Sequence, residues 1–246
     1  MKILVAPTLY ITAPVHFVWA DNTIKSFKES SINFDLIGFI NALGEPYEKK
    51  IKRLFKKTYK NRQNNLSKSW NRAIDYGMEN NYDYTIIPNL DILVQPETFE
   101  NLIEFAQTSP KKSVLWSGYC TNHPQIQKPE TNYLVSAYGY NNYDTYALFM
   151  VNNKLFEKVG RFDEHYQVYC EDVDMEHRLN LAGYKHWCVK DAPFYHAENI
   201  TLHGIAPKDQ GAHNEETNGA LAYFVKKWGG PPRFPVYKTP FNKKGM

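Results

Sequence analysis

Cysteine is scarce in this chain: three residues in 246, Cys120, Cys170 and Cys188, an odd and scattered set. They supply neither a disulfide framework nor the paired spacing of a structural zinc site. They fit free thiols in a reducing compartment, so a cytoplasmic protein is expected. Long apolar runs are missing as well, and no stretch approaches the ~18 residues of a membrane-spanning helix. Lys2 followed by Ile3-Leu4-Val5-Ala6 could open a signal peptide, but Pro7, Thr8, Thr12, Pro14 and His16 interrupt it, so a first core strand is expected instead. Repeats and low-complexity tracts are absent. The net charge of +3 is too small to imply a nucleic-acid partner by itself.

What is present is globular composition, 43% hydrophobic and 22% charged, with length for one large α/β domain or two small ones. Residues 2–6 read as a short buried strand of the parallel-sheet type, ending in a loop at Pro7-Thr8-Leu9-Tyr10. Residues 24–31 read as a helix and 34–40 as a second buried strand, ending at Asn41. Residues 48–62 read as one basic helix whose apolar stripe is Ile51, Leu54 and Phe55. Its many Lys and Arg are most simply a solvated face, and they can also attract DNA or an anionic membrane. Further helices are expected over residues 67–80, with Trp70, Ala73, Ile74, Gly77 and Met78 inward, and over 96–109, with Pro96 in the first turn. Strands are expected over 114–119, 146–151 and 185–189, and residues 82–91 read as a strand running into an acidic turn. Residues 121–142 are polar, rich in Tyr and Asn, and form a candidate acceptor lid. Residues 214–228 read as an amphipathic helix broken by Gly229-Gly230-Pro231-Pro232.

The densest chemistry lies between Gly160 and Gly183. Four carboxylates, Glu171, Asp172, Asp174 and Glu176, fall within six positions at a helix start, after an aromatic loop with Phe162, Tyr166 and Tyr169. Such a cluster can supply a general base. The helix dipole favours ionisation there, and crowding with like charge opposes it. Acids are also ordinary in a first helical turn, and Asp174 with Arg178 is an ordinary i,i+4 pair.

This stretch resembles the Gly-x-Phe-Asp-Glu … Glu-Asp-x-Asp … Arg … Ala-Gly-Tyr signature of family-two glycosyltransferases. The resemblance extends to Tyr82–Asp91, to the region between Tyr146 and His203, and to the Lys-Trp-Gly-Gly … Pro-Phe-Asn tail. It implies a single GT-A-like α/β domain over 1–246: a mainly parallel sheet with helices on both faces, a nucleotide-sugar half (1–110), an acceptor and catalytic half (111–204) and a helical tail (205–246). It implies transfer of a sugar from a nucleotide-diphospho-sugar, a UDP-sugar first of all, to an acceptor hydroxyl with inversion. Asp172 would be the base and Glu171 its helper. Pro7, Thr8, Tyr10, Asn41, Asn71, Asn89 and Asp91 would bind the donor.

The same resemblance assigns a divalent cation, Mn²⁺ or Mg²⁺, to Asp91 and His196, with His203 as the fallback for His196. Hard oxygen ligands together with diphosphate oxygens suit such ions. Asn41 stands where the family usually has Asp, and Asn89 replaces the first acid of the metal turn. The acceptor is expected to be a glycan or a lipid-linked sugar, with a modified base in DNA as the alternative served by the basic run. Two other classes remain open at this stage. A nucleotidyltransferase would want a glycine-rich basic loop after the first strand, which residues 7–14 do not provide. A non-catalytic nucleotide-sugar or glycan binder is disfavoured by the intact Glu171-Asp172 pair. The sequence leaves the oligomeric state undetermined.

Overall fold

The computed structural model describes residues 1–61, 64–122, 128–135, 145–197, 200 and 210–243, with only the backbone for 210–213. An eight-stranded sheet runs through the molecule in the order β3 (Asp35–Leu36), β1 (Ile3–Val5), β6 (Tyr84–Pro88), β10 (Leu148–Asn152), β8 (Ser113–Cys120), β11 (Lys185–His196), β7 (Ile92–Val94), with β9 (Tyr133–Leu134) paired to β11. The pairings make β3, β1, β6, β8 and β11 run one way and β10, β7 and β9 the other. The sheet is therefore mixed rather than mainly parallel, since β10 is inserted antiparallel at its centre and β7 and β9 pair antiparallel with β11. One apolar cluster lies on each face, one containing Phe27, Phe99 and Trp116, the other Trp70, Phe149 and Phe162. Among the described residues no helix is long and apolar enough to cross a membrane.

Three parallel strands, β2 (Thr8–Ile11), β4 (Gly38–Leu43) and β5 (Thr58–Lys60), form a second, small sheet in the order β2-β4-β5. This corrects three sequence expectations. The Pro7–Tyr10 loop is largely strand. The strand over 34–40 divides at Ile37, and Asn41 lies inside β4 rather than beyond a strand end. The cause is local. Ala6 still donates to the Ile86 carbonyl (2.8 Å), but Pro7 has no N–H with which to continue along β6. Its carbonyl turns instead to the Phe39 N–H (2.9 Å), and the chain pair leaves the main sheet together.

The basic helix is also shorter than expected. α2 (Glu48–Leu54) stops where Phe55 turns extended, and β5 follows. Pairing with β4 outweighs helical periodicity here. Gly38 donates to Lys57 O, Asn61 donates to Ile40 O, and Tyr59 stacks on Phe39. α1 (Pro14–Lys28) begins ten residues before the helix expected at 24, because Pro14 occupies the first turn, where a missing N–H costs nothing.

α3 (Leu66–Glu79) is capped by the Asn65 side chain, which accepts from Lys68 N (2.8 Å). It lies so close on β6 that a Cβ at Gly77 would stand 2.2 Å from Thr85 Oγ1. α4 (Thr98–Thr108) and the short α5 (Asn153–Phe156) complete the layers up to the acid cluster. α6 (Glu171–Ala182) ends at Gly183 in the left-handed region (φ 69°). β11 extends to His196, well past the strand expected to end at 189, because its far end pairs antiparallel with β7 after a register shift. Part of the candidate lid is strand: β9 pairs with Trp187 and Cys188. Residues 123–127 and 136–142 of that segment lie outside the described residues, as do Thr201 and His203. α7 (Gln210–Trp228) packs through Ala220, Phe224 and Trp228 on Tyr166.

Candidate active site

The two residues expected to share a metal stand face to face. β11 ends beside β7, with His196 opposite Ile92, so its last side chain arrives next to the turn after β6. His196 Nε2 lies 3.3 Å from Asp91 Oδ1, and both side chains are mostly buried. The backbone closes the same junction, Ala197 N donating to Asp91 O (2.8 Å). Asn122 clasps His196 from both sides, accepting from its N–H (2.9 Å) and donating to its carbonyl (2.7 Å). Asn89 donates its N–H to Ala147 O (2.8 Å), tying this turn to the start of β10. A carboxylate and an imidazole nitrogen converging at a strand end fit a divalent ion that completes its shell with phosphate oxygens. No cluster of three such ligands exists among the described residues.

The first strand end comes to the same region. The Tyr10 ring lies 5.5 Å from the ring of His16. His16 Nδ1 accepts from the N–H groups of Thr12 (3.1 Å) and Ala13 (3.2 Å), so Nε2 carries the proton and donates to Ile200 O (3.1 Å). Trp19 stacks on Tyr195 with the planes 10° apart. α1 thus grips the chain on both sides of His196. Sequence reasoning missed His16, treating it only as an interruption of an apolar run. Its position two residues after Pro14, where a side chain can reach back to a helix's free N–H groups, was the available signal.

Thr8 is buried within β2, and Pro7 acts through its carbonyl, as above. Two other expected donor residues have their amides engaged by protein. Asn41 accepts from Asn65 N (2.7 Å) and donates to Asn64 Oδ1 (2.7 Å), tying β4 to the start of α3. Asn71 accepts from Phe162 N (2.8 Å) and donates to Phe162 O (2.9 Å) and Glu164 Oε1 (3.0 Å). Both of its amide protons go to the loop that precedes the acid cluster.

That loop enters α6 through two consecutive left-handed residues, Tyr169 (φ 64°) and Cys170 (φ 66°). Two non-glycine residues held this way are strained, and such strain concentrates at functional sites. Glu171 follows, 6% exposed, its Oε2 buried and without a hydrogen-bond partner among the described residues. Burial, and then the charge of Asp172, push its carboxyl up to about 8. Asp172 is half-buried, and its Oδ1 accepts from Val173 N (2.7 Å). Burial raises its proton affinity too, with Glu176 and Asp174 adding to the effect and the Val173 N–H opposing it.

One helical turn on, Glu176 Oε1 accepts from the Tyr146 hydroxyl (2.5 Å) and meets His186 Nδ1 (2.5 Å), and His186 Nε2 lies 2.8 Å from Ser117 Oγ. This buried network joins α6 to β8, β11 and the 3₁₀ turn Thr145–Ala147, whose last carbonyl holds Asn89. The Glu171-Asp172 pair and the Asp91–His196 contact are therefore connected through Tyr146, whose phenol also feels the charge of Asp172. Tyr146, Glu176 and His186 were not singled out as site residues from sequence, because a network assembled from four elements leaves no local pattern. Asp174 points the other way. Fully buried, it accepts from Arg178 Nε (2.9 Å) and Trp228 Nε1 (2.7 Å) and pairs with Lys227 Nζ (2.6 Å).

No family model matches the sequence, and no curated protein matches it. Solved structures do. TarS from S. aureus superposes with a TM-score of 0.60 at 14% identity, over 92% of this chain and 40% of TarS. The TarS 1–349 fragment in complex with UDP-GlcNAc gives 0.61 at 13% identity, over 92% of this chain and 67% of that one. GalNAc-T7 with UDP, GalNAc and Mn²⁺ gives 0.60 at 12% identity, over 80% of this chain and 44% of that one. The chain spans less than half the length of full TarS and of GalNAc-T7. At these identities the likeness shows the fold: this is a GT-A glycosyltransferase fold.

Proposed function

We propose that this protein transfers a sugar from a nucleotide-diphospho-sugar to an acceptor hydroxyl, with inversion at the anomeric carbon. The observation that carries the reading is the Asp91–His196 contact at the strand ends, linked through Asn89, the Thr145–Ala147 turn and Tyr146 to the Glu171-Asp172 pair. A donor diphosphate set against Asp91 would direct its sugar towards α6. TarS bound to UDP-GlcNAc and GalNAc-T7 bound to UDP share the fold, which supports a UDP-sugar donor here. A glycan or lipid-linked sugar is the proposed acceptor.

In the reaction, the acceptor oxygen attacks the anomeric carbon and its proton passes to Asp172. The bond from that carbon to the β-phosphate oxygen breaks, and the nucleoside diphosphate leaves. Glu171, with its carboxyl held up to about 8, keeps its proton at neutral pH. That leaves the neighbouring Asp172 free to carry the single negative charge the pair can tolerate. Asp91 and His196 would hold the divalent ion, which when bound supplies positive charge against the departing diphosphate. Tyr10 would pack against the nucleobase. Asn41 and Asn71 support the site through the backbone they hold, and Thr8 and Pro7 through the turn into the small sheet.

The test is a thermal-shift screen of UDP-, GDP- and dTDP-sugars, each with and without Mn²⁺. A bound donor raises the melting temperature by mass action, about 2.7 kcal/mol at a hundredfold excess over Kd. A UDP-sugar should give the largest rise, and should be turned over when an acceptor sugar is supplied. No stabilisation by any nucleotide sugar would overturn the reading. Stabilisation without turnover on a panel of acceptors would favour a non-catalytic binder.

A further inference from the structure

The charges of this chain are divided unevenly. Residues 49–72 hold ten Lys and Arg and no Asp or Glu, although the whole chain carries 29 basic and 26 acidic residues. Everything outside that segment therefore has 19 basic against 26 acidic residues and is net negative. The segment folds as α2, β5 and the first half of α3, and its basic side chains on α2 are exposed. From outside the segment, Glu48 reaches Lys60 at 3.7 Å, and Asp75 is committed to Arg161. A concentration of like charge costs self-repulsion, so it calls for a physical reason.

Keeping other strands away from the open edge of the small sheet explains part of it. Lys57 and Lys60 sit on β5 or beside it, at the end of the order β2-β4-β5. That reason does not reach Lys49, Lys52, Arg53 or Lys56, which lie on or just past α2, away from the edge. A membrane surface is the first alternative. Helices that lie in a bilayer interface expose large apolar side chains as well as cations. Here Ile51 and Phe55 are buried, and among the described residues no large hydrophobic side chain between Trp19 and Tyr133 is exposed. A single-stranded nucleic acid is the second alternative, and it needs free aromatic faces. Here Lys57 caps Tyr59 and Tyr76, Arg72 covers Tyr59, and Lys50 covers Phe17 and Tyr47. What remains on offer is a field of cations on a polar surface.

We propose that the α2–β5–α3 surface binds the phosphate backbone of double-stranded DNA without reading its sequence. The surface borders the donor side of the site, since the Phe17 ring under Lys50 belongs to the residue after His16. The proposal does not depend on the sugar-transfer reading, because the binding is measured without donor.

The experiment is fluorescence anisotropy of a labelled duplex of about 30 base pairs, titrated with the full chain across a salt series. Each phosphate contact contributes about 0.9 to the slope of log K against log salt. Lys49→Ala/Lys52→Ala/Lys56→Ala should weaken binding at least tenfold at low salt and reduce the slope by about 2.7. Lys154→Ala/Lys158→Ala/Lys226→Ala removes the same charge from exposed positions elsewhere and should leave both quantities close to wild type. Equal losses in the two triple variants would overturn the proposal, showing that only net charge acts. So would an absence of duplex binding at low salt, with or without lysine-dependent binding to phosphatidylglycerol vesicles.

Discussion

Asp172 owes its position to what precedes it. Tyr169 and Cys170 turn the chain through two left-handed residues, so Glu171 goes inward while Asp172 stays at the half-buried rim. Asp172→Asn keeps the shape and removes the proton acceptor. Single-turnover assays should show a loss on the order of 10²–10⁴ in rate with donor affinity unchanged, and transfer at the wild-type rate would remove Asp172 from the base role. Glu171 gives a pH prediction of opposite sign to an ordinary salt-bridged acid. Its folded-state pKa, about 8, lies above the unfolded value near 4.5. The folded protein therefore binds more protons between those values, and stability falls as pH rises through that window. Melting temperatures should drop from pH 5 to pH 8 in the wild type and drop less in Glu171→Gln. Identical slopes in the two proteins would show that Glu171 is already ionised.

At the level of elements, α6 has two differently engaged faces. One carries Asp172 and Glu176 towards the site. The other carries Asp174 and His177 towards the tail, where Asp174 takes bonds from Arg178, Lys227 and Trp228, and His177 stacks edge-on against Trp228. α7 is thus fastened to α6, the helix that carries the proposed base. Asp174→Asn leaves buried Lys227 short of one carboxylate, at a cost of about 3 kcal/mol, or roughly 6–12 °C for a chain of this size. Calorimetry should find this loss larger than any loss in turnover of the folded variant. The Asp174–Arg178 pair was readable from sequence because it is local. The contact with Trp228 was not, since it joins residues 54 apart. The same distinction runs through the strands. The strands Tyr84–Pro88 and Leu148–Asn152 were legible because they are largely apolar, with Thr85 and Asn152 as their polar members. The division of β1 from β2 was not, because it depends on which neighbour accepts Pro7. The end of α2 at Leu54 was missed because pairing with β4 overrode a helical charge pattern.

For the whole molecule, the donor and the metal should act as one. Asp91→Ala removes the mostly buried carboxylate that faces His196. Titration calorimetry with a UDP-sugar should show weaker binding in the variant, and EDTA should weaken the wild type to a similar extent. Equal donor affinity in EDTA and in Mn²⁺ would mean that the Asp91–His196 contact is a structural ion pair. The site as a whole was half legible. Glu171, Asp172, Asp91 and His196 were proposed from motif blocks, whereas the contacts of His16, Tyr146, Glu176 and His186 emerged only once the sheet had brought distant segments together.

The lopsided charge has one more consequence, for handling the protein. A sequence pI near 8.5 describes a weakly basic particle. The charge is instead divided between a cationic segment over residues 49–72 and an acidic remainder. In dilute buffer the segment of one molecule attracts the remainder of another, so light scattering should report self-association that disappears at physiological salt. A phosphocellulose column should retain the protein even at a pH where its net charge is zero.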